Sequence, residues 1–329
     1  MTSSRSLIAT GYVALDVISH GPAVRQRAGG TAANVASNLS HLGWRSALVG
    51  RIGDDPPGRR IVDDLRRAGV DCNALTLDPD LKTPVLVHEV SPPRHRFIFS
   101  CPECGRRSPR YSALHPEQAK GLDIDDSKPP DVVFVDRISP AAVDLLDRFA
   151  GSFKVLEPSS RGTIAAATQA AGRADLLKWS DEQRPALHQA IFEPRPKQVQ
   201  VETLGSGGAR FRIGTRPWVV VPALDIEPID TAGAGDWLTA ALLDTLPRLR
   251  VGELDDAAVV KALEDAQGLA ALSCLYVGAQ SMANLPMGQL RAAARSLLAG
   301  KLEVPPPAPS GWRSRALRVC QTCLGPVVP

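Results

Sequence analysis

The chain has 329 residues, of which 44% are apolar, enough to bury one large core or one core and a small accessory lobe. Its 38 Lys and Arg against 35 Asp and Glu leave a formal charge of +3, which excludes a dedicated nucleic-acid surface and gives an anionic membrane no electrostatic hold. No stretch sustains the roughly twenty apolar residues of a spanning helix, so the expectation is a cytoplasmic protein without a membrane partner.

The first apolar stretch, 7–18, contains Asp16 and lacks both a basic region and a small-residue cleavage site, so it reads as a strand (7–17) and not as a leader. Further strands are predicted at 46–52, 131–136, 153–157, 198–204 and 218–221, all rich in Val, Ile or Phe. Helices fall between them. Ile61, Val62, Leu65 and Ala68 recur at helical spacing before Gly69, and Val143, Leu146 and Phe149 do so after Pro140. The Ala/Leu-rich stretch 257–275 reads as a long buried helix. This alternation is the mark of βα units around a mostly parallel sheet, hence an α/β fold. Two regions depart from it. Val85-Leu86-Val87 and Phe97-Ile98-Phe99, separated by Ser91-Pro92-Pro93, suggest a hairpin outside the main sheet, a small lid. From 301 the chain turns Pro-rich and cannot continue a helix.

The stretch Asp230-Thr231-Ala232-Gly233-Ala234-Gly235-Asp236 precedes a run of helix-forming composition. Amides at a helix N-terminus have no intrahelical partner and carry the positive end of the dipole, so small residues there allow a phosphate to approach. Asp236, directly after the turn, stands where a carboxylate can accept the proton of an attacking hydroxyl. A Gly-rich turn capped by an Asp is the bland alternative for those residues taken alone.

The same seven residues resemble the C-terminal signature of the ribokinase-like, or phosphofructokinase B type, carbohydrate kinases. Gly29-Gly30-Thr31-Ala32-Ala33-Asn34, then Leu42-Gly43 and Gly53-Asp54 with Gly58, resemble the family's N-terminal signature. Glu157-Pro158-Ser159-Ser160-Arg161 is similar to its Asp-Pro-Asn-x-Arg. The resemblance implies a ribokinase-like three-layer sandwich over residues 1–300, with a mostly parallel central sheet and a small β lid built from about 18–28 and 83–113. It also implies ATP and Mg2+ as cosubstrate and cofactor, a sugar or nucleoside as acceptor, and allows a homodimer through the lid. In its terms Asp236 is the catalytic base and Gly233, Ala234 and Gly235 form the anion hole. Asp16, Gly29, Gly30 and Asn34 hold acceptor hydroxyls, and Thr203, Gly205, Gly208 and Thr231 hold the nucleotide. Asn34 could instead cap a helix beside the Gly-Gly turn.

Where the family has Asn-x-x-Glu near magnesium and phosphate, this chain has Ser180-Asp181-Glu182-Gln183, and a neutral Gln cannot replace a carboxylate. Glu182 or Asp181 would have to supply the charge in a shifted register, or nucleotide phosphates and water hold the magnesium. Four of the six cysteines form two Cys-x-x-Cys pairs, Cys101/Cys104 and Cys320/Cys323. In a reducing compartment such pairs favour metal over disulfide, and four thiolates would make a closed structural Zn2+ site pinning the 301–329 tail to the lid. His95 and His115 flank the first pair as substitutes. The competing reading is a ligand-sensing or interaction protein that keeps the kinase fold and uses a zinc knuckle; retention of Asp236 argues against it, and the absence of aromatic interleaving argues against nucleic acid.

Overall fold

A computed structural model describes residues 5–91, 94–101, 104–123, 128–246, 254–301, 305 and 313–314. In chain order the strands are β1 (Ser6–Thr10), β2 (Ala14–His20), β3 (Ala23–Gly29), β4 (Arg45–Gly53), β5 (Leu75–Asp78), β6 (Val85–Ser91) and β7 (Arg94–Ile98). They continue as β8 (Val132–Val135), β9 (Phe153–Leu156), β10 (Leu176–Ser180), β11 (Val199–Thr203), β12 (Ala209–Ile213), β13 (Val219–Val221) and β14 (Arg313–Ser314). The helices are α1 (Thr31–His41), α2 (Pro56–Arg67), α3 (Pro116–Lys120), α4 (Pro140–Arg148), α5 (Ile164–Arg173), α6 (Ala234–Thr245), α7 (Asp256–Cys274) and α8 (Met287–Leu298).

Nine strands form one sheet in the order β13-β12-β11-β10-β9-β8-β1-β4-β5, parallel except for the antiparallel additions β12 and β13. Both of its faces are covered, which is why β8 can read Val-Val-Phe-Val with every residue buried. Alternation along β1 sorts the two cores. Leu7 and Ala9 pack with residues of α1, α2, α6, α7 and α8, while Ile8 packs on the other face with residues of α3, α4 and α5. The result is the three-layer sandwich expected from the sequence. The chain leaves β1 first toward β4 and β5 and returns to its other side at β8. The carboxyl ends of β1 and β8 therefore flank a topological switch point, where open α/β sheets form crevices.

The second sheet has five strands, β14-β3-β2-β6-β7, and contains the hairpin read from the sequence, with Val87 opposite Ile98 and Ser91 opposite Arg94. The stretch 7–17, read as one strand, is corrected to two strands in different sheets. After β1 the Tyr12 N–H donates to Asp136 Oδ1 at 2.7 Å, a side-chain acceptor that takes the chain out of the ladder before β2 begins. β3 (Ala23–Gly29) overlaps the 18–28 lid segment that the resemblance implies but is not among the strands read from apolar runs, because Arg25, Gln26 and Arg27 hide its periodicity; β10 was missed because Lys178 interrupts an otherwise apolar strand. The helix read over 61–68 starts earlier, since the Asp55 carboxylate accepts the Gly58 N–H at 3.0 Å and caps α2 ahead of Pro56. Beyond α8 the tail returns to the body: Tyr276 donates its hydroxyl to the Pro305 carbonyl at 2.6 Å, and β14 pairs antiparallel with β3, Arg313 opposite Val24. Cys320 and Cys323 lie outside the described residues. Among the described residues no helix is long and apolar enough to cross a membrane.

The end of α6 is fixed to the rest of the core by Asp244. Its buried carboxylate accepts from Arg5, from Trp44 Nε1 at 2.8 Å and from Arg291 at 3.0 Å, and the Arg5 guanidinium lies 4.3 Å from the Trp44 ring centroid. Asp244→Ala leaves an indole donor buried without a partner, although both arginines can rehydrate. The expected cost is about 2 kcal/mol, read as a thermal midpoint lower by several degrees.

Candidate active site

Helix α6 begins at Gly233, which holds a left-handed conformation (φ 82°). A Cβ there would lie 2.3 Å from the Ala279 Cβ, so the turn demands glycine on two counts. The Ala234 N–H turns back to the Thr231 carbonyl at 3.2 Å. The next amides, of Gly235 and Asp236, come before any intrahelical acceptor is available. Asp230 sets the entry to this turn. Its Oδ1 accepts the Ala232 N–H at 3.0 Å and its Oδ2 the Gly278 N–H at 2.8 Å.

Facing the turn is the start of α1. Gly30 occupies its N-cap, and Asn34, one turn in and 5% exposed, donates from Nδ2 to Asp236 Oδ2 at 2.7 Å. Its Oδ1 in turn accepts from Gln280 Nε2 at 3.1 Å, which fixes the amide orientation. The helix-cap reading of Asn34 therefore gives way to a side chain that positions Asp236. Asp16, on β2, packs against Gly29, where a Cβ would come within 2.0 Å of its Oδ2. Asp16 Oδ1 is buried and makes no hydrogen bond. An unsatisfied carboxylate oxygen at that depth is costly unless something else supplies a donor. Asp16, Gly30, Asn34, Gly233 and Asp236 all line one cavity of about 840 Å³, closed on its other side by Tyr12, His88, Phe97, Tyr111, Arg137 and other residues of the lid side.

Charge beneath the cavity is concentrated. Glu157, from the end of β9, accepts from Lys178 Nζ at 2.5 Å and from Thr239 Oγ1 at 2.6 Å, and all three are buried. The Lys178 ammonium is the nearest group to a Cβ built on Gly235, at 3.8 Å, so a positive charge lies against the turn of α6. Burial pushes the Asp236 carboxyl up to about 8; Glu157 and Asp136 add to the rise, while the Asn34 hydrogen bond and Lys178 oppose it. Burial likewise lifts Asp16 to about 7 against the pull of His88, and Asp136 to about 6 against Arg137, the Tyr12 amide and the Ser159 hydroxyl. A carboxyl poised near neutral pH in a cavity lined by polar side chains is suited to exchange a proton with a bound alcohol.

Thr203, Gly205 and Gly208 do not line this cavity. They sit at the carboxyl end of β11 and in the turn after it, where Leu204 N–H meets the Gly208 carbonyl at 2.8 Å, on the same edge of the parallel strands as the ends of β1 and β8. Thr231 hydrogen-bonds His95 Nδ1 across 3.1 Å. In the stretch 180–183 the Gln183 N–H donates to Ser180 Oγ at 3.2 Å; Gln183 lines the cavity, but Asp181 and Glu182 are exposed and do not. Cys101 and Cys104 lie in the turn after β7, where Gly105 N–H donates to the Cys101 carbonyl at 2.9 Å. They are not disulfide-bonded to each other. Glu157 was legible as a departure from Asp, but its ammonium partner Lys178 was not, because nothing in Leu-Leu-Lys-Trp signals a buried pair.

The raised Asp236 pKa has a consequence for stability. The folded state holds this proton more tightly than the unfolded chain, so no cost arises below about pH 4, and stability is lost progressively as pH climbs through the folded value of about 8. Asp236→Asn keeps an acceptor for Asn34 and removes the ionisation. The variant is expected to match wild type in thermal midpoint near pH 4 and to exceed it increasingly toward pH 8, by an amount on the order of a few kcal/mol.

Residues 5–286 match the family model described as pfkB family carbohydrate kinase. The chain is 28% identical over 261 residues to the ATP-dependent ribose-1-phosphate kinase of Halopiger xanaduensis, covering 78% of this chain and 83% of that one. It is 26% identical to the fructokinase of Vibrio alginolyticus, covering 77% and 87%. Among solved structures, the fructokinase of Vibrio cholerae O395 with fructose, ADP and calcium bound superposes with a TM-score of 0.68 at 25% identity, covering 89% of this chain and 99% of that one. The sugar kinase PH1459 of Pyrococcus horikoshii gives 0.70 at 24% identity with the same coverage and shares the fold. With both signatures folded onto one cavity and a family match over most of its length, the chain belongs to the pfkB family of carbohydrate kinases and is a phosphotransferase with an alcohol group as acceptor.

Proposed function

We propose that the protein transfers the γ-phosphoryl group of ATP to a hydroxyl of a sugar or related polyol, nucleosides included, bound between Asp16, Gly30 and Asn34. The observation that carries this reading is the placement of Asp236: one oxygen is held by Asn34 Nδ2 at 2.7 Å at the head of α6, which leaves the other to face the acceptor. The acceptor hydroxyl gives its proton to Asp236 as its oxygen bonds to the γ-phosphorus, and the bond to the ADP oxygen breaks with its electron pair leaving on ADP. Of the anion hole expected at Gly233, Ala234 and Gly235, the Ala234 N–H is turned back to the Thr231 carbonyl, so the amides of Gly235 and the adjoining Asp236, with the Lys178 ammonium behind them, are the ones that meet the negative charge on the transferring oxygens. Asp16 Oδ1, buried without a partner, accepts from a second acceptor hydroxyl. Thr203, Gly205 and Gly208 at the end of β11, with Thr231, mark the nucleotide side.

Magnesium would be carried into such a site with the nucleotide. Within 180–183, Gln183 and Ser180 bond each other and only Gln183 lines the cavity, with Asp181 and Glu182 exposed beyond it, which supports nucleotide phosphates and water as the principal ligands of the ion. The tight turn at Cys101 and Cys104 supports reading that pair as half of a structural Zn2+ site, with Cys320 and Cys323 as the other half.

ADP release from MgATP across a panel of sugars, sugar phosphates and nucleosides tests the reading. One acceptor class is expected to turn over, and Asp236→Asn is expected to cut kcat by at least ~10³-fold with nucleotide affinity within a few-fold of wild type. Bound ATP without turnover for any acceptor would favour the ligand-sensing reading instead.

A further inference from the structure

One cluster of potential ligands plays no part in the chemistry above. His88 on β6, His95 on β7 and Asp230 ahead of α6 bring one donor atom each to within 4.8 Å of one another. His88 Nε2 stands 3.4 Å from Asp230 Oδ1, and His95 Nδ1 stands 3.8 Å from the same oxygen. His88 is 1% exposed, held by stacking on Phe97 with centroids 4.6 Å apart, yet its Nε2 finds no hydrogen bond of acceptable geometry. A buried ring nitrogen aimed at a carboxylate without bonding it is an unmet demand. The separations of 3.4 and 3.8 Å from Asp230 Oδ1 are those of neighbouring ligands around one ion bound at roughly 2.0–2.2 Å.

The surroundings fit a cation. Asp230 is wholly buried at its side chain while His95 is 29% exposed, so the cluster has a closed end and an opening to solvent. Asp16 and His88 line the same cavity, so a further carboxyl lies on that side of the cluster. The Thr231 hydroxyl, 3.1 Å from His95 Nδ1, is a candidate fourth donor. Arg25 neighbours Asp230 from the Gly278 side and donates to the Val277 carbonyl at 2.7 Å, while Asp230 Oδ1, which accepts the Ala232 N–H at 3.0 Å, keeps a further lone pair facing the histidines. Two imidazoles and one carboxylate select first-row divalent ions over Mg2+ or Ca2+.

We propose that His88, His95 and Asp230 form a binding site for a divalent transition ion of the Zn2+ class, distinct from the nucleotide's magnesium and from the cysteine pairs. The ion would clip the β6–β7 hairpin to residues 230–231, immediately before the anion-hole turn. Its occupancy would therefore set how firmly the lid is held over the acceptor cavity.

Co2+ is the probe, titrated into chelator-stripped full-length protein and followed by its visible ligand-field bands and by thermal midpoint. Wild type is expected to show a nitrogen/oxygen-type Co2+ spectrum and a rise in midpoint. His95→Ala, at an exposed position, is expected to bind at least ~10-fold more weakly and to lose the rise, and His88→Gln to do the same. Cys104→Ser is the control, expected to leave the nitrogen/oxygen bands unchanged. Bands and midpoint shift that survive His95→Ala, or a signal consisting only of thiolate-to-cobalt charge transfer that disappears in Cys104→Ser, would overturn the site.

Discussion

Everything at this site turns on one buried carboxyl at the head of a helix. The amide dipole of α6, the Asn34 amide and the Lys178 ammonium favour the ionised form of Asp236, while burial and the neighbouring Glu157 and Asp136 oppose it. The opposition wins, and the carboxyl is held near the pH at which it can both take and keep a proton. Much of the surrounding construction serves this balance. Glu157 would be intolerable in the core without Lys178 and Thr239 on its two oxygens, and Lys178 reaches the Gly235 turn only because Glu157 holds it there. The same pair thus gives the turn at the start of α6 a positive floor and gives Asp236 a competing negative neighbour.

The position of the cavity follows from the sheet topology. The crevice lies at the carboxyl ends of β1 and β8, where the chain reverses its direction of winding, and the residues after those strands lock together as Tyr12 N–H meets Asp136. That contact ends β1 and launches β2 into the second sheet, so the lid and the central sheet diverge at the very point where a ligand would enter. Arg137, over the Tyr12 ring at 4.6 Å and bonded to Ser159, ties the same corner to the segment after β9. The tail adds β14 to the outer edge of the lid sheet beside β3, covering an edge that would otherwise be open to pairing.

Much of this was legible in the sequence because its signal is local. The turn 230–236 needs consecutive small residues before a helix, and Gly29-Gly30 with Asn34 one helical turn later needs no knowledge of partners. Apolar runs announced β4, β8 and β9 for the same reason. What escaped was long-range or disguised. The break after Thr10 depends on Asp136, more than a hundred residues away; β12 alternates Arg with apolar residues and β3 carries Arg25-Gln26-Arg27 at its centre, so neither stands out as an apolar run; Lys178 and Glu157 reveal themselves only when β9 and β10 lie side by side. His95 was read as a neighbour of the cysteines, whereas the fold turns it toward His88 and Asp230.

The central claim is that the acceptor's proton goes to a carboxyl whose ionisation burial has moved close to neutrality. The most direct test is the pH dependence of kcat/KM for the preferred acceptor, measured with nucleotide saturating. An ascending limb with an apparent pKa well above that of an ordinary carboxylate, approaching about 8, is the expected result, since only ionised Asp236 can take the proton. A kcat/KM that is flat from pH 5.5 to 9, or one that rises only across the ordinary carboxylate range near pH 4, would contradict the account.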